Sequence, residues 1–194
     1  MSAHDPRPPF VLASASPRRR ALLASLLDAP FQVRVADIDE SPLPGERPEP
    51  HVRRLALAKA RAVAAGLQAP LQVLGADTVV AFEGRILGKP ASPADAVETL
   101  RRLRGRRHEV ITGLALVDAP AGAILRVAAA TTGVWMRAYT DAEIEAYVAS
   151  GDPMDKAGAY AIQHTGFRPV ARLEGSETNV IGLPLGLTRW LLGV

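Results

Sequence analysis

A chain of 194 residues, 48% of them apolar, can bury a substantial core and is too apolar to be disordered. Its apolar runs fall short of the ~18 residues of a membrane span, no charged-then-apolar leader opens it, and the lack of cysteine excludes a disulfide framework and a thiolate metal site, so a soluble cytoplasmic protein is expected. Net charge is only +3, but three lysines stand against twenty arginines, which singles out Lys59, Lys89 and Lys156 in a chain whose default cation is arginine.

After a disordered lead-in expected over residues 1–9, Phe10 to Ala13 reads as a short buried strand. Ser16 has the chemistry of a helix N-cap, and Pro17 suits the first helical position, where its missing N–H costs nothing. The helix that follows turns Leu22, Leu23, Leu26 and Leu27 toward a core. Arg18 and Arg19 fall in its first turn, the positive end of the helix dipole, where acids are favoured. The chain offers its own comparison at Ser92-Pro93-Ala94-Asp95, which opens in the same way but holds Asp95. Two arginines beside free backbone N–H groups fit a bound anion, phosphate foremost; a solvated basic cluster over Arg18 to Arg20 is the other reading. Arg19 lies four and seven residues before Leu23 and Leu26 and so projects from the inward face.

Phe31 to Val35 alternates apolar and polar residues, as a half-buried strand does. It runs into Asp37, Asp39 and Glu40 and then a proline-rich loop, and carboxylates placed there form either an oxygen-rich cation site or solvated loop charges. From Glu49 to Leu67 the pattern is helical, with Val52, Leu55, Ala56, Val63 and Leu67 on one stripe. Lys59 lies on that stripe and must snorkel outward or meet a buried anion, and the anion is favoured. Residues 71 to 90 are β-rich, with Glu83-Gly84 as a hairpin turn. Asp77 interrupts the first arm where an apolar residue belongs, and a buried carboxylate must be paired or coordinated. Lys89 ends the second arm, placed to return toward the same point.

Ser92 to Leu103 is a capped helix, and His108 to Asp118 with Ala123 to Met136 read as an antiparallel pair. Thr140 to Glu143 is a capping box opening a helix to Ala149, which Gly151 ends. Asp152 to Gln163 mixes small residues with Asp155, Lys156 and Gln163, more polar chemistry than a connector requires. Gly175 to Gly182 reads as a polar turn entering a short strand, and Pro184 starts a last helix carrying Leu187, Trp190 and Leu191. The expected architecture is one elongated α/β domain over residues 10–194, a mixed sheet with flanking helices and a central cleft.

Taken together, Ser14-Ala15-Ser16-Pro17-Arg18-Arg19, Gly75-Ala76-Asp77-Thr78, Gly88-Lys89-Pro90, Asp155 to Gln163 and Gly182-Leu183-Pro184 resemble the Maf family of nucleoside triphosphate pyrophosphatases, from about Val11 to Leu192. The resemblance implies the fold shared with inosine triphosphate pyrophosphatases and cleavage between the α- and β-phosphates of a nucleotide. It implies Asp77 as general base, Glu40, Lys59 and Lys89 as the rest of the catalytic set, and Ser14 and Arg19 among the triphosphate contacts. It also implies a homodimer, and a role in clearing modified nucleotides or in cell division arrest. Glu40 and Asp77 offer hard oxygen ligands for Mg²⁺ or Mn²⁺. Arg18, Thr78 and Gln163 form the set that goes with dTTP and UTP, where the branch resembling 7-methyl-GTP pyrophosphatases carries Trp, Gln and Glu. Gln163 offers the donor and the acceptor that a uracil or thymine edge needs. Two departures, His164 where glycine is usual and Glu177 where tyrosine is frequent, bear on the base pocket. A 7-methyl-GTP or other modified-nucleotide pyrophosphatase is one alternative. A nucleic-acid-binding module, suggested by the arginines at 18–20 and 101–107, is the other, although aromatic residues are sparse and no reading motif is present.

Overall fold

The computed structural model describes residues 10–194, and the lead-in expected over 1–9 lies outside them. The strands are β1 (Phe10–Ala13), β2 (Gln32–Arg34), β3 (Gln72–Phe82), β4 (Arg85–Leu87), β5 (Arg107–Asp118), β6 (Ala123–Met136) and β7 (Val170–Glu174). They form one seven-stranded mixed sheet in the order β2-β1-β3-β5-β6-β7, with β4 paired to β3. The helices are α1 (Pro17–Leu26), α2 (Pro48–Ala65), α3 (Pro93–Leu103), α4 (Asp141–Ala149), α5 (Glu177–Ile181) and α6 (Leu185–Leu192).

The topology of β3 creates the cleft. One edge of this strand pairs with β5 along nearly its whole length. The other edge is shared: β1 runs parallel to it from Gln72 to Gly75, and β4 runs antiparallel to it from Val80 to Phe82. Between them, Ala76 to Val79 have no strand partner on that edge among the described residues. A sheet that splits in this way leaves an opening at the ends of its strands, where ligands settle in α/β folds.

Side chains alternate across β3, and the two faces meet different layers. Val73, Val79 and Ala81 face α2 and pack against its stripe of Val52, Ala56, Ala60 and Val63. Leu74 and Ala76 face the opposite way, onto Leu23 of α1 and Leu191 of α6, while Val80 and Phe82 meet α3 and α4. Asp77 therefore points to the α2 side and Thr78 to the other, and the split edge lets both reach one opening.

The caps anticipated from sequence form: the Ser16 side chain accepts from the Arg19 N–H, the Ser92 side chain from Asp95, and Thr140 with Glu143 makes a capping box. Two expectations are corrected. Phe31 to Val35 is not a half-buried strand, since β2 is an exposed edge with Val33 and Val35 open to solvent; among the described residues it pairs only with β1, and Phe31, just before it, is the residue of the run that packs on the core. Gly175 to Gly182 is not a turn entering a strand. The strand, β7, precedes it, and Ser176 then caps the short helix α5 through the Asn179 N–H. No helix among the described residues is long and apolar enough to cross a membrane.

Candidate active site

Lys59 is the centre of the site. It sits on the inward stripe of α2 and is 8% exposed. Its ammonium meets Asp77 Oδ1 at 2.7 Å and Glu40 Oε2 at 2.9 Å. The lysine in an apolar stripe and the aspartate in an apolar strand therefore satisfy each other, as burial demands. Asp77 Oδ2 has no hydrogen-bond partner among the described residues and belongs to a residue lining the cleft.

Of the three carboxylates after β2, only Glu40 enters this site. Asp39 turns back to accept from the Ser41 N–H at 2.9 Å, and Asp37 is exposed, so the wider acidic cluster behaves as loop charge. Glu40 is delivered by a loop that sequence reasoning left featureless. Glu46 accepts from Arg54 Nε and Nη2, both at 2.6 Å, from the Leu43 N–H at 3.0 Å, and meets His51 Nδ1 at 2.8 Å. Arg54 also donates to Ser41 O. The Arg54 guanidinium holds the Glu46 carboxyl far below the usual carboxylate range, although desolvation opposes it. This knot ties the loop to α2, the same helix that carries Lys59.

Two glycines set the approach of α2. A Cβ on Gly75 would lie 2.1 Å from Ala56 O, and one on Gly113, the cross-strand neighbour of Asp77, 2.4 Å from Val52 O. Neither glycine has a positive φ, so space rather than backbone conformation requires them. They flank Asp77 on its own face and let the helix backbone rest on the strands.

The opening, about 480 Å³, is lined on its other sides by Ser14, Arg18, Lys89, Tyr160 and Gln163. Arg18 makes no ion pair among the described residues, and Lys89 is exposed at the cleft margin. Arg19 is knitted inward: Nε donates to Gly182 O at 2.8 Å, Nη1 to Ser14 Oγ and Ala76 O, and Nη2 to Thr78 Oγ1 at 2.8 Å. Of its five N–H groups one is left for a ligand. Burial pulls the Arg19 pKa down, partly offset by Asp77 and Glu40. Lys156 is likewise engaged, donating to Asp152 O and to the carboxylates of Asp152 and Asp155. The Ser14 hydroxyl accepts from the Ser16 N–H and Arg19, and its own proton has no acceptor among the described residues.

Gln163 is exposed and lines both this cleft and a neighbouring cavity of about 370 Å³, which Glu177 and His164 also line. His164 serves its own turn, accepting from the Phe167 N–H at 2.9 Å with its ring against Tyr147. The arginines at 101–107 are engaged with neighbours: Arg101 and Arg104 on Asp141, Arg106 on Glu83, Arg107 on Glu109, with Arg102 and Arg106 over Phe82. Four arginines of this cluster are thus paired with acids, which reduces the free positive charge on which the nucleic-acid reading rested there.

Behind Tyr160, His108 Nε2 meets the tyrosine hydroxyl at 2.7 Å, and Nδ1 is buried without a partner among the described residues. Burial, with a smaller contribution from Arg107, pushes the imidazole down to about 4. The unfolded chain then binds the extra proton first, so this contribution is complete above about pH 6.5 and is lost as pH falls toward 4. The total is on the order of 3 kcal/mol. Thermal melts between pH 7.5 and 5 are expected to show wild type losing stability and His108→Phe losing markedly less.

Glu40 and Asp77 each give one carboxylate oxygen to Lys59, and Asp77 Oδ2 is left over as a hard oxygen donor of the kind a divalent cation takes. Among the described residues no three acidic or histidine side chains gather into a closed metal site. The remaining ligands would be water and the substrate's own oxygens.

Residues 9–193 match the family model described as Maf-like protein. A dTTP/UTP pyrophosphatase of Moorella thermoacetica is 55% identical over 185 residues, 95% of this chain and 94% of that protein. A dTTP/UTP pyrophosphatase of Myxococcus xanthus is 51% identical over 183 residues, 94% of this chain and 90% of that one. In fold, the chain is similar to a HAM1 protein from Coxiella burnetii, with a TM-score of 0.51, 19% identity and coverage of 95% of this chain and 98% of that one.

Proposed function

The chain belongs to the Maf family, and on that premise we propose that it hydrolyses nucleoside triphosphates, dTTP and UTP foremost, to the monophosphate and pyrophosphate. The observation that carries this reading is the buried Lys59 gathering Asp77 and Glu40 at the gap in β3, beside a margin of cations. In this reading Asp77 Oδ2 accepts a proton from a water that attacks the α-phosphorus. A P–O bond forms from that water, the bond to the α,β-bridging oxygen breaks, and pyrophosphate leaves with the bonding pair. Lys59 holds Asp77 in orientation and places positive charge next to the reacting phosphate. Lys89, Arg18 and the Ser14 hydroxyl meet phosphate oxygens, and Arg19 contributes its remaining N–H. Glu40 and Asp77 would hold Mg²⁺ or Mn²⁺, which when bound neutralises triphosphate charge and acidifies water. The Gln163 amide meets the donor and acceptor edge of uracil or thymine.

The test is pyrophosphate release from dTTP, UTP, CTP, GTP and 7-methyl-GTP with Mg²⁺, with Mn²⁺ and with chelator. The expected result is metal-dependent release that favours dTTP and UTP by about tenfold or more. Release favouring another base keeps the reaction and removes Gln163 as the base reader. No release from any nucleotide overturns the proposal.

A further inference from the structure

The side of the sheet opposite α2 carries a line of buried polar residues through an otherwise apolar layer. Thr78 and Thr112 are cross-strand partners on β3 and β5, with their hydroxyls 2.9 Å apart. Thr112 Oγ1 donates to Asn179 O at 3.0 Å. Asn179 Nδ2 donates to Val110 O and to Thr132 Oγ1, and Thr132 Oγ1 donates to Ser176 O. Thr112, Thr132 and Asn179 are fully buried.

The direction of each bond in this line follows from chemistry. A carbonyl only accepts, so the single proton of Thr112 goes to Asn179 O. Thr78 must then donate to Thr112. A guanidinium only donates, so Thr78 accepts from Arg19 Nη2. The path runs Arg19 to Thr78 to Thr112 to Asn179 in α5, and it closes because Arg19 Nε donates to Gly182 O at the end of α5. Arg19 is thus fixed by a closed circuit of hydrogen bonds that fastens α5 to the sheet. Buried polar networks of this kind hold one geometry because any broken link leaves a desolvated group unpaired.

We propose that Thr112 is a positioning residue for Arg19, acting through the Thr78 hydroxyl that joins them. Thr112 then acts on the phosphate arm of every nucleotide alike. This rests on the pyrophosphatase reading only for its kinetic arm. Thr112 is not among the residues lining the cleft, so its substitution reaches the substrate only through the circuit.

The experiment compares wild type, Thr112→Val and Thr112→Ser in two assays. The first is calorimetric binding of inorganic tripolyphosphate, which has no base. The second is pyrophosphate release from dTTP, UTP and CTP. Thr112→Val keeps the shape and the branching suited to a strand but removes the hydroxyl. It is expected to weaken tripolyphosphate binding by about tenfold, because Arg19 is then held less firmly in the geometry that meets phosphate. It should lower kcat/KM by one common factor for all three nucleotides, leaving their ratios unchanged, while Thr112→Ser stays within about twofold of wild type. Unchanged tripolyphosphate affinity in a folded Thr112→Val protein overturns the inference, as does a shift in the ratio of dTTP to CTP. Should Thr112→Val fail to fold, Thr112→Cys, whose thiol is only a weak donor, carries the same expectation and the same refutation in the same two assays. A wild type that binds tripolyphosphate but releases no pyrophosphate defeats the proposed function, and the binding arm still decides the inference.

Discussion

Asp77→Asn is expected to lower pyrophosphate release by about a thousandfold, within the range that a positioned general base contributes, while nucleotide affinity changes by less than about threefold. The substitution preserves shape and removes one negative charge. Lys59 retains Glu40 at 2.9 Å, so the buried ammonium is not stranded and the fold should survive. What disappears is the free carboxylate oxygen at the gap in β3. Single-turnover release together with binding of a non-hydrolysable α,β-methylene UTP separates the possibilities. Lost turnover with retained binding assigns proton transfer to Asp77. Turnover and affinity lost together would make holding metal or substrate, rather than taking a proton, the main role of Asp77. Retained turnover would remove Asp77 from the chemistry.

Asp77 and Lys59 were legible in the sequence because each breaks an apolar pattern. A charge where burial is dictated must have a partner, and two such residues of opposite sign invite pairing. Arg19 was legible as an inward-facing cation for the same reason. Its engagement with Gly182, Ala76 and Thr78 was not, because those partners lie 163, 57 and 59 residues away and only the folded sheet joins them. The exposure of β2 was hidden because alternation records a strand's pleat and not whether a layer covers it. The knot of Glu46 with His51 and Arg54 was hidden because it joins a proline-rich loop to α2, and a charged loop residue looks the same whether solvated or buried. Gly175 to Gly182 misled because Ser176 has the chemistry of an N-cap but opens a helix too short to show periodicity.

The glycines beside Asp77 belong to the same class of unread information, and they carry the largest expected effect on stability. Gly75→Ala places a methyl group 2.1 Å from the Ala56 carbonyl oxygen and 2.9 Å from the Ala60 nitrogen. Both are backbone atoms inside α2, so no rotamer change relieves the clash and the helix must lift from β3. Overpacking of this kind costs about 3 kcal/mol, or a fall of about 10 °C in Tm for a chain of this size. Gly186→Ala provides the control: it sits in α6 with nothing within 4 Å of an added Cβ, so helix propensity alone acts and stability should be level or higher by up to about 1 kcal/mol. The two substitutions add the same methyl group, one in a strand against α2 and one in an open helix turn. Lifting α2 also carries Lys59 away from Asp77, now 2.7 Å distant. Gly75→Ala is therefore expected to lose turnover even below its lowered melting point, where circular dichroism reports a folded chain. Gly75→Ala with wild-type Tm would mean that α2 does not rest on β3 as described. A lowered Tm with full turnover in the folded state would separate the packing of α2 from the placement of Lys59.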